Sequence, residues 1–300
     1  MSDPRLLFGL ICLVWGTSWL ASKIGVNAAP PLLFAGARFL LAVPLLFLLA
    51  WKVRPHTRIP ADRPIGRALL AGLVGIAAAN ALIFWGLARA PSGVAGLINL
   101  SLIPIGLYAF GRIAGVEPAS RRKLAALAIG VVGLGLLMAP GHGTINADPL
   151  GLAAITIGTL LVAVGAIAGR PLAAAWGPFR VNAWTSLIGG VGLLALSLAL
   201  EPVFDSFPAF ARPDVALALA YLVLAGSVAA YTAYWRLLDV WGPARTGSYA
   251  FISPLIALAV GAILLNEAFG WREAVSAGIL LFAARLALSS PAVSDRKSGT

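Results

Sequence analysis

Residues 85–117 read WGLARAPSGVAGLINLSLIPIGLYAFGRIAGVE, and residues 235–267 read WRLLDVWGPARTGSYAFISPLIALAVGAILLNE. At a shift of 150 positions Trp85 falls on Trp235, Leu87 on Leu237, Pro104 on Pro254 and Ala109 on Ala259. Gly111 then meets Gly261, Ile113 meets Ile263, Glu117 meets Glu267 and, just beyond, Arg122 meets Arg272. Leu and Ala matches are cheap in so apolar a chain, but coincident Trp, Pro and Glu are not. A weaker echo joins the earlier segments at a shorter shift, where Gly9 with Gly16-Thr17 resembles Gly151 with Gly158-Thr159. The chain reads as an internal duplication.

Outward from the repeat, ten apolar runs lie almost end to end, at residues 6–26, 32–51, 68–87, 93–110, 121–139, 150–168, 181–200, 215–235, 244–265 and 271–288. A bilayer core of about 30 Å takes about 20 apolar residues per helix. Hydrophobic residues make up 60% of the chain and charged residues 11%, against about 25% charge in a soluble domain. Lipid is therefore the expected solvent. The first run is too long for a removable signal peptide, carries Lys23 near its end and is followed at once by another span. Five spans per copy is an odd number, so the second copy must insert upside down relative to the first. The expected fold is an all-α membrane protein of ten transmembrane helices. Residues 1–145 form the first five-helix repeat, 146–290 the second and inverted one, and 291–300 a cytoplasmic tail.

The net charge of +11 follows the same plan. With the N-terminus inside, seventeen cations fall on inner segments: Arg5; Lys52, Arg54, Arg58, Arg63 and Arg67; Arg112, Arg121, Arg122 and Lys123; Arg170 and Arg180; Arg236 and Arg245; Arg285, Arg296 and Lys297. Only Arg89, Arg212 and Arg272 fall outside. This positive-inside bias orients membrane helices and puts both termini in the cytoplasm. The loop after the fourth run carries four cations and its counterpart after the ninth carries Arg272 alone, as inversion requires. No charged stripe stands apart from the pattern, so nucleic acid is not an expected partner. The single Cys12 cannot form an intramolecular disulfide. His56 and His142 fall in predicted loops, which leaves no metal cluster and no histidine-based catalysis to propose.

Several motifs carry a family likeness. Trp15-Gly16-Thr17-Ser18-Trp19 with Lys23, the Arg38-Phe39 pair, and the twice-used pattern of small residues, mid-helix Pro and terminal Glu resemble the drug/metabolite transporter superfamily. Within it the chain is most similar to the bacterial EamA family of metabolite and amino-acid exporters, over nearly its whole length. Family members often end the fourth span with Leu-Gly-Glu; here it reads Gly115-Val116-Glu117, and Leu265-Asn266-Glu267 in the second copy is nearer. The resemblance implies ten helices around a central cavity, with the fifth and tenth at the periphery. It also implies an inner-membrane transporter that exports metabolites.

Residues for such a cavity can be read from the spans. Trp15, Trp19 and Lys23 are four apart and share a helix face; the competing reading is packing, or an interfacial anchor with a snorkelling lysine. Arg38 lies about 10 Å deep, where a charge needs water or a partner. It either attracts an anionic substrate group together with Lys23 or hydrogen-bonds helix carbonyls. Asn80, Asn99 and Ser101, and in the second copy Ser227, Tyr231, Ser248, Tyr249 and Ser253, are polar groups that lipid cannot satisfy. They line a cavity or bond between helices. Asn99 and Tyr249 are repeat equivalents, each five residues before a span's proline. Pro104 and Pro254 would then be the hinges. Trp85 and Trp184 complete an aromatic wall with Trp15 and Tyr249, or face lipid.

None of the eleven Asp and Glu residues falls at mid-membrane, Glu267 coming nearest. Proton-coupled pumps use an intramembrane carboxylate, so facilitated diffusion is expected. The partners expected are a small-molecule substrate and the bilayer, with no cofactor and no obligatory protein partner. The substrate expected is an amino acid with a hydrophobic or aromatic side chain. Export of purines, drugs or sugar derivatives, or uptake, are the alternatives among transporters. An intramembrane enzyme is disfavoured by the lack of a Ser-His pair or metal motif, and a structural subunit by the polar groups in both halves.

Overall fold

The computed structural model describes residues 3–53, 63–90, 92–137, 148–264 and 271–289, and every regular element among them is helical. In chain order the longer helices are α1 (Pro4–Ala28), α2 (Pro31–Lys52), α3 (Pro64–Arg89), α4 (Ser92–Ile113) and α5 (Arg121–Leu137). There follow α6 (Pro149–Trp176), α7 (Pro178–Leu200), α8 (Pro213–Val240), α9 (Tyr249–Leu264) and α10 (Trp271–Leu288). Among the described residues seven helices are long and apolar enough to cross a membrane: α1, α2, α3, α4, α6, α7 and α8. Helices α5, α9 and α10 hold 17, 16 and 18 residues. The ninth apolar run is not one rod: a short helix, Pro243–Gly247, precedes α9, and the chain turns at Ser248 between them. His56, His142, Glu267 and the tail 291–300 lie outside the described residues.

Local sequence sets the helix ends. Proline stands in the first turn of α1, α2, α3, α6, α7 and α8, where its missing N–H has no intrahelical bond to lose. Asp3 and Asp148 cap α1 and α6 through the backbone N–H groups of Arg5 and Leu150. Gly177 alone separates α6 from α7; its φ of 81° is left-handed backbone that glycine adopts without strain.

Helices α3 and α8 each contain a stretch of wide, π-type turns, at Leu70–Ala78 and Leu222–Ala230. Such turns leave carbonyls without their regular partners, and amide side chains fill in. Asn80 Nδ2 donates to Ile76 O at 2.9 Å, and Asn182 Nδ2 donates to Ser227 O at 2.8 Å and to Thr232 Oγ1 at 2.9 Å. By contrast Pro104 and Pro254 lie within helices that continue through them.

Glycine brings the helices together. A Cβ added at Gly165 on α6 would come within 2.3 Å of Gly75 Cα on α3, so the two backbones touch. Gly16 on α1 faces the Ser253 carbonyl of α9 in the same way. Helix α5 packs on α10, with Gly133 against Ile279 and Leu280.

Two carboxylates, the buried Glu117 and the half-buried Glu201, tie the first half of the chain to the second. Glu117, after α4, takes a 2.6 Å ion pair from Lys123 and accepts the Ala244 N–H at 2.8 Å. Glu201, after α7, accepts the Leu32 and Leu33 N–H groups at the start of α2 and is held by Ser197 Oγ. Each satisfies a helix start belonging to the other half.

The contact of Gly75 with Gly165 sets a stability prediction. Gly165→Ala should destabilise the protein by about 1–3 kcal/mol through overpacking, read as a lower melting temperature in detergent. Gly9→Ala, whose Cβ meets nothing within 4 Å, should leave that temperature unchanged.

Candidate functional site

A cavity of about 100 Å³ opens between α1, α2, α3, α4, α6, α8 and α9. Its aromatic part is built on α1, α8 and α9. Trp15 meets Tyr249 at 4.6 Å between ring centroids, Tyr234 at 5.1 Å and Tyr231 at 5.5 Å, all edge-on or tilted, the arrangements that ring quadrupoles favour. Trp19 and Ser18 continue the α1 wall, with Ser22 above them.

Arg38 supplies the charge. It is 8% exposed and lines the cavity from α2. One guanidinium nitrogen donates to Asn80 Oδ1 at 3.3 Å, and the group sits over the rings of Phe39 and Phe84 at 4.5 and 5.2 Å. Tyr231 lines the same cavity and packs edge-on against Phe39, beneath the Arg38 guanidinium's ring contact. Among the described residues no carboxylate pairs with Arg38, and its Nε has no partner. Cation–π contact and one amide offset only part of the cost of burying a cation. Asn99 completes the polar lining; its Nδ2 donates to Thr159 Oγ1 on α6 at 3.0 Å.

Of the residues expected from sequence, Trp15, Trp19, Arg38, Asn80, Asn99, Tyr231 and Tyr249 line this one cavity. The others lie elsewhere. Lys23 donates its ammonium to Leu87 O at 2.7 Å and Ala90 O at 3.0 Å, closing the end of α3 instead of forming a positive patch with Arg38. Helix geometry gives the reason. At about 100° per residue, position 23 lies about 80° round from position 15, whereas position 22 returns to within about 20°. The α1 stripe on the cavity is therefore Trp15, Ser18, Trp19 and Ser22. Trp85 stacks under the guanidinium of Arg89, and Trp184 is 42% exposed against Phe47, so neither joins the aromatic wall. Ser253 is fully buried under Gly16 and is not in the lining.

Tyr234, Ser18 and Ser22 line the cavity without having been singled out from sequence. For Tyr234 a signal existed, since Tyr231 and Tyr234 are three apart and share a helix face. Trp235, the next residue, turns instead to Gly169 of α6.

Comparison with known proteins adds a family. The model of the EamA-like transporter family matches twice, over residues 5–139 and 149–289. The chain is 31% identical over 278 residues to the "Uncharacterized inner membrane transporter YedA" of Escherichia coli (strain K12), covering 92% of this chain and 87% of that one. It is 26% identical over 287 residues to a "Probable amino-acid metabolite efflux pump" of Salmonella typhimurium, covering 91% and 90%. A solved crystal structure superposes with a TM-score of 0.76 at 19% identity, covering 97% of this chain and 99% of that one, which is a likeness of fold.

The contacts of Lys23 yield a prediction. Lys23→Met should lower thermal stability by on the order of 1–3 kcal/mol, the value of charge-assisted hydrogen bonds. Ligand affinity at the cavity, measured by calorimetry on protein that remains folded, should stay within about twofold.

Proposed function

We propose that this chain, which belongs to the EamA-like transporter family, exports small metabolites across a bacterial inner membrane, namely amino acids with hydrophobic or aromatic side chains. The observation that carries the reading is Arg38, a buried cation with no carboxylate partner among the described residues, beside an aromatic wall. A substrate carboxylate supplies the missing charge. Asn99, whose amide nitrogen is committed to Thr159, has its amide oxygen to offer an ammonium. Trp15, Tyr231 and Tyr249 receive the side chain. A cavity of about 100 Å³ is small beside the roughly 300–1,000 Å³ of drug-binding pockets, which disfavours drug-sized solutes. The name of the Salmonella relative, an amino-acid metabolite efflux pump, points the same way.

The architecture in this reading is ten membrane crossings, as two inverted five-helix copies over residues 1–145 and 146–290 around the cavity. The double family match and the paired wide turns of α3 and α8 support it. With the termini cytoplasmic, as the distribution of cations supports, Glu117 stands at the inner face and Glu201 at the outer. Alternating access then exchanges an inner closure for an outer one as the halves rock. The contact of Glu117 with Ala244 belongs to the inner closure, and Pro104 and Pro254 are the bending points. The described carboxylates stand at helix ends or between helices, Asp3, Asp148 and Glu201 among them, which supports movement down the substrate's own gradient.

Reconstituted in liposomes, the protein should carry labelled aromatic amino acids with saturable kinetics indifferent to an imposed pH gradient. Arg38→Met should cut that flux by at least tenfold, the loss of a buried charge-assisted contact, and Trp15→Ala should impair it without preventing insertion. Flux that follows the pH gradient would refute passive transport and point to Glu267. Absence of amino-acid flux in folded protein would refute the substrate.

Glu117→Gln tests the inner closure. The variant loses the ion pair with Lys123 and replaces the charged acceptor of the Ala244 N–H by a neutral amide oxygen, which weakens the contact between the halves. Its inner face should be more accessible, read as faster labelling of a cysteine placed at Ala244.

A further inference from the structure

Two polar groups in the cavity lining are buried and have no partner among the described residues: Arg38 Nε and the Tyr234 hydroxyl. The first is accounted for by a carboxylate. The second is not. Tyr234 is 3% exposed, and it sits on α8 three residues beyond Tyr231, about 4.5 Å further along the helix. The ring of Trp15 lies against both tyrosines. The two unsatisfied groups therefore stand at separate points of one aromatic-walled space.

A buried hydroxyl with no partner is costly, and phenylalanine would fill almost the same volume in this cluster without the cost. Other buried groups without partners, at Ser227, Trp235, Thr246, Ser253 and Ser276, lie outside the cavity lining. Tyr234 alone among these hydroxyls belongs to a residue that lines the cavity. A hydroxyl both donates and accepts, so it serves a phenolic oxygen and an indole N–H equally well.

We infer that Tyr234 is a specificity-determining residue. Its hydroxyl hydrogen-bonds the polar atom on the ring of an aromatic amino acid whose carboxylate lies on Arg38. The inference rests on the amino-acid reading above and narrows it to aromatic amino acids with a hydrogen-bonding ring, the tyrosine and tryptophan type, over phenylalanine and aliphatic ones. A site built to bond such a group discriminates strongly against the analogue lacking it, because its own buried group is then left unpaired.

The test is competition of unlabelled tyrosine, tryptophan, phenylalanine and leucine against labelled tyrosine on the purified full chain, alongside Tyr234→Phe. The wild-type protein should bind tyrosine and tryptophan at least about tenfold more tightly than phenylalanine. Tyr234→Phe should erase that margin by losing tyrosine affinity while keeping phenylalanine affinity. The variant should also melt no lower than the wild type, since it removes an unsatisfied group. Equal binding of tyrosine and phenylalanine by the wild type, a margin that survives in Tyr234→Phe, or a lower melting temperature each overturns the assignment and leaves the amino-acid reading standing. No binding of any amino acid by folded wild type overturns both.

Discussion

Inside hydrocarbon a polar group has only the protein to bond with, and that constraint organises this molecule down to single side chains. Helix starts are capped by carboxylates, some local, as with Asp3 and Asp148, and some crossing between halves, as with Glu117 and Glu201. The wide turns of α3 and α8 free backbone carbonyls, and Asn80 and Asn182 take them up. The end of α3 is closed by the Lys23 ammonium. Against that background Arg38, a cation without a counter-charge among the described residues, stands out, and it stands in the cavity.

Close backbone contact is the second requirement, because lipid tails offer helices no hydrophobic reason to associate. Gly75 and Gly165 let α3 and α6 touch, and Gly16 lets α1 meet the backbone of α9 at Ser253. The contact at Gly16 has a direct consequence for the site. It seats α1 so that Trp15, one residue earlier, reaches Tyr249 on α9 and the two tyrosines of α8. The cavity is what remains where large rings meet from helices held close by glycine.

The carboxylates between the halves give that arrangement its mechanical character. Glu117 and Glu201 make short-range, directional contacts between the halves, beside apolar faces that glycine lets pack closely.

Much of this was legible in the chain alone. Hydropathy and the positive-inside bias are one-dimensional signals that membrane insertion itself reads, and the 150-residue shift lies in the chain's own letters, so the helical class and the family likeness followed without coordinates. Arg38, Trp15, Asn99 and Tyr249 were also recoverable, since a deep charge or polar group in lipid demands an explanation. Direction was not. Trp85 and Trp184 lie within spans as Trp15 does, yet they pack on Arg89 and Phe47, and Lys23 misses the cavity face that Ser22 holds. Which way a side chain points depends on how each helix is rotated against its neighbours. Glycine contacts such as Gly75 on Gly165 fix that rotation, and they exist only once the helices have packed.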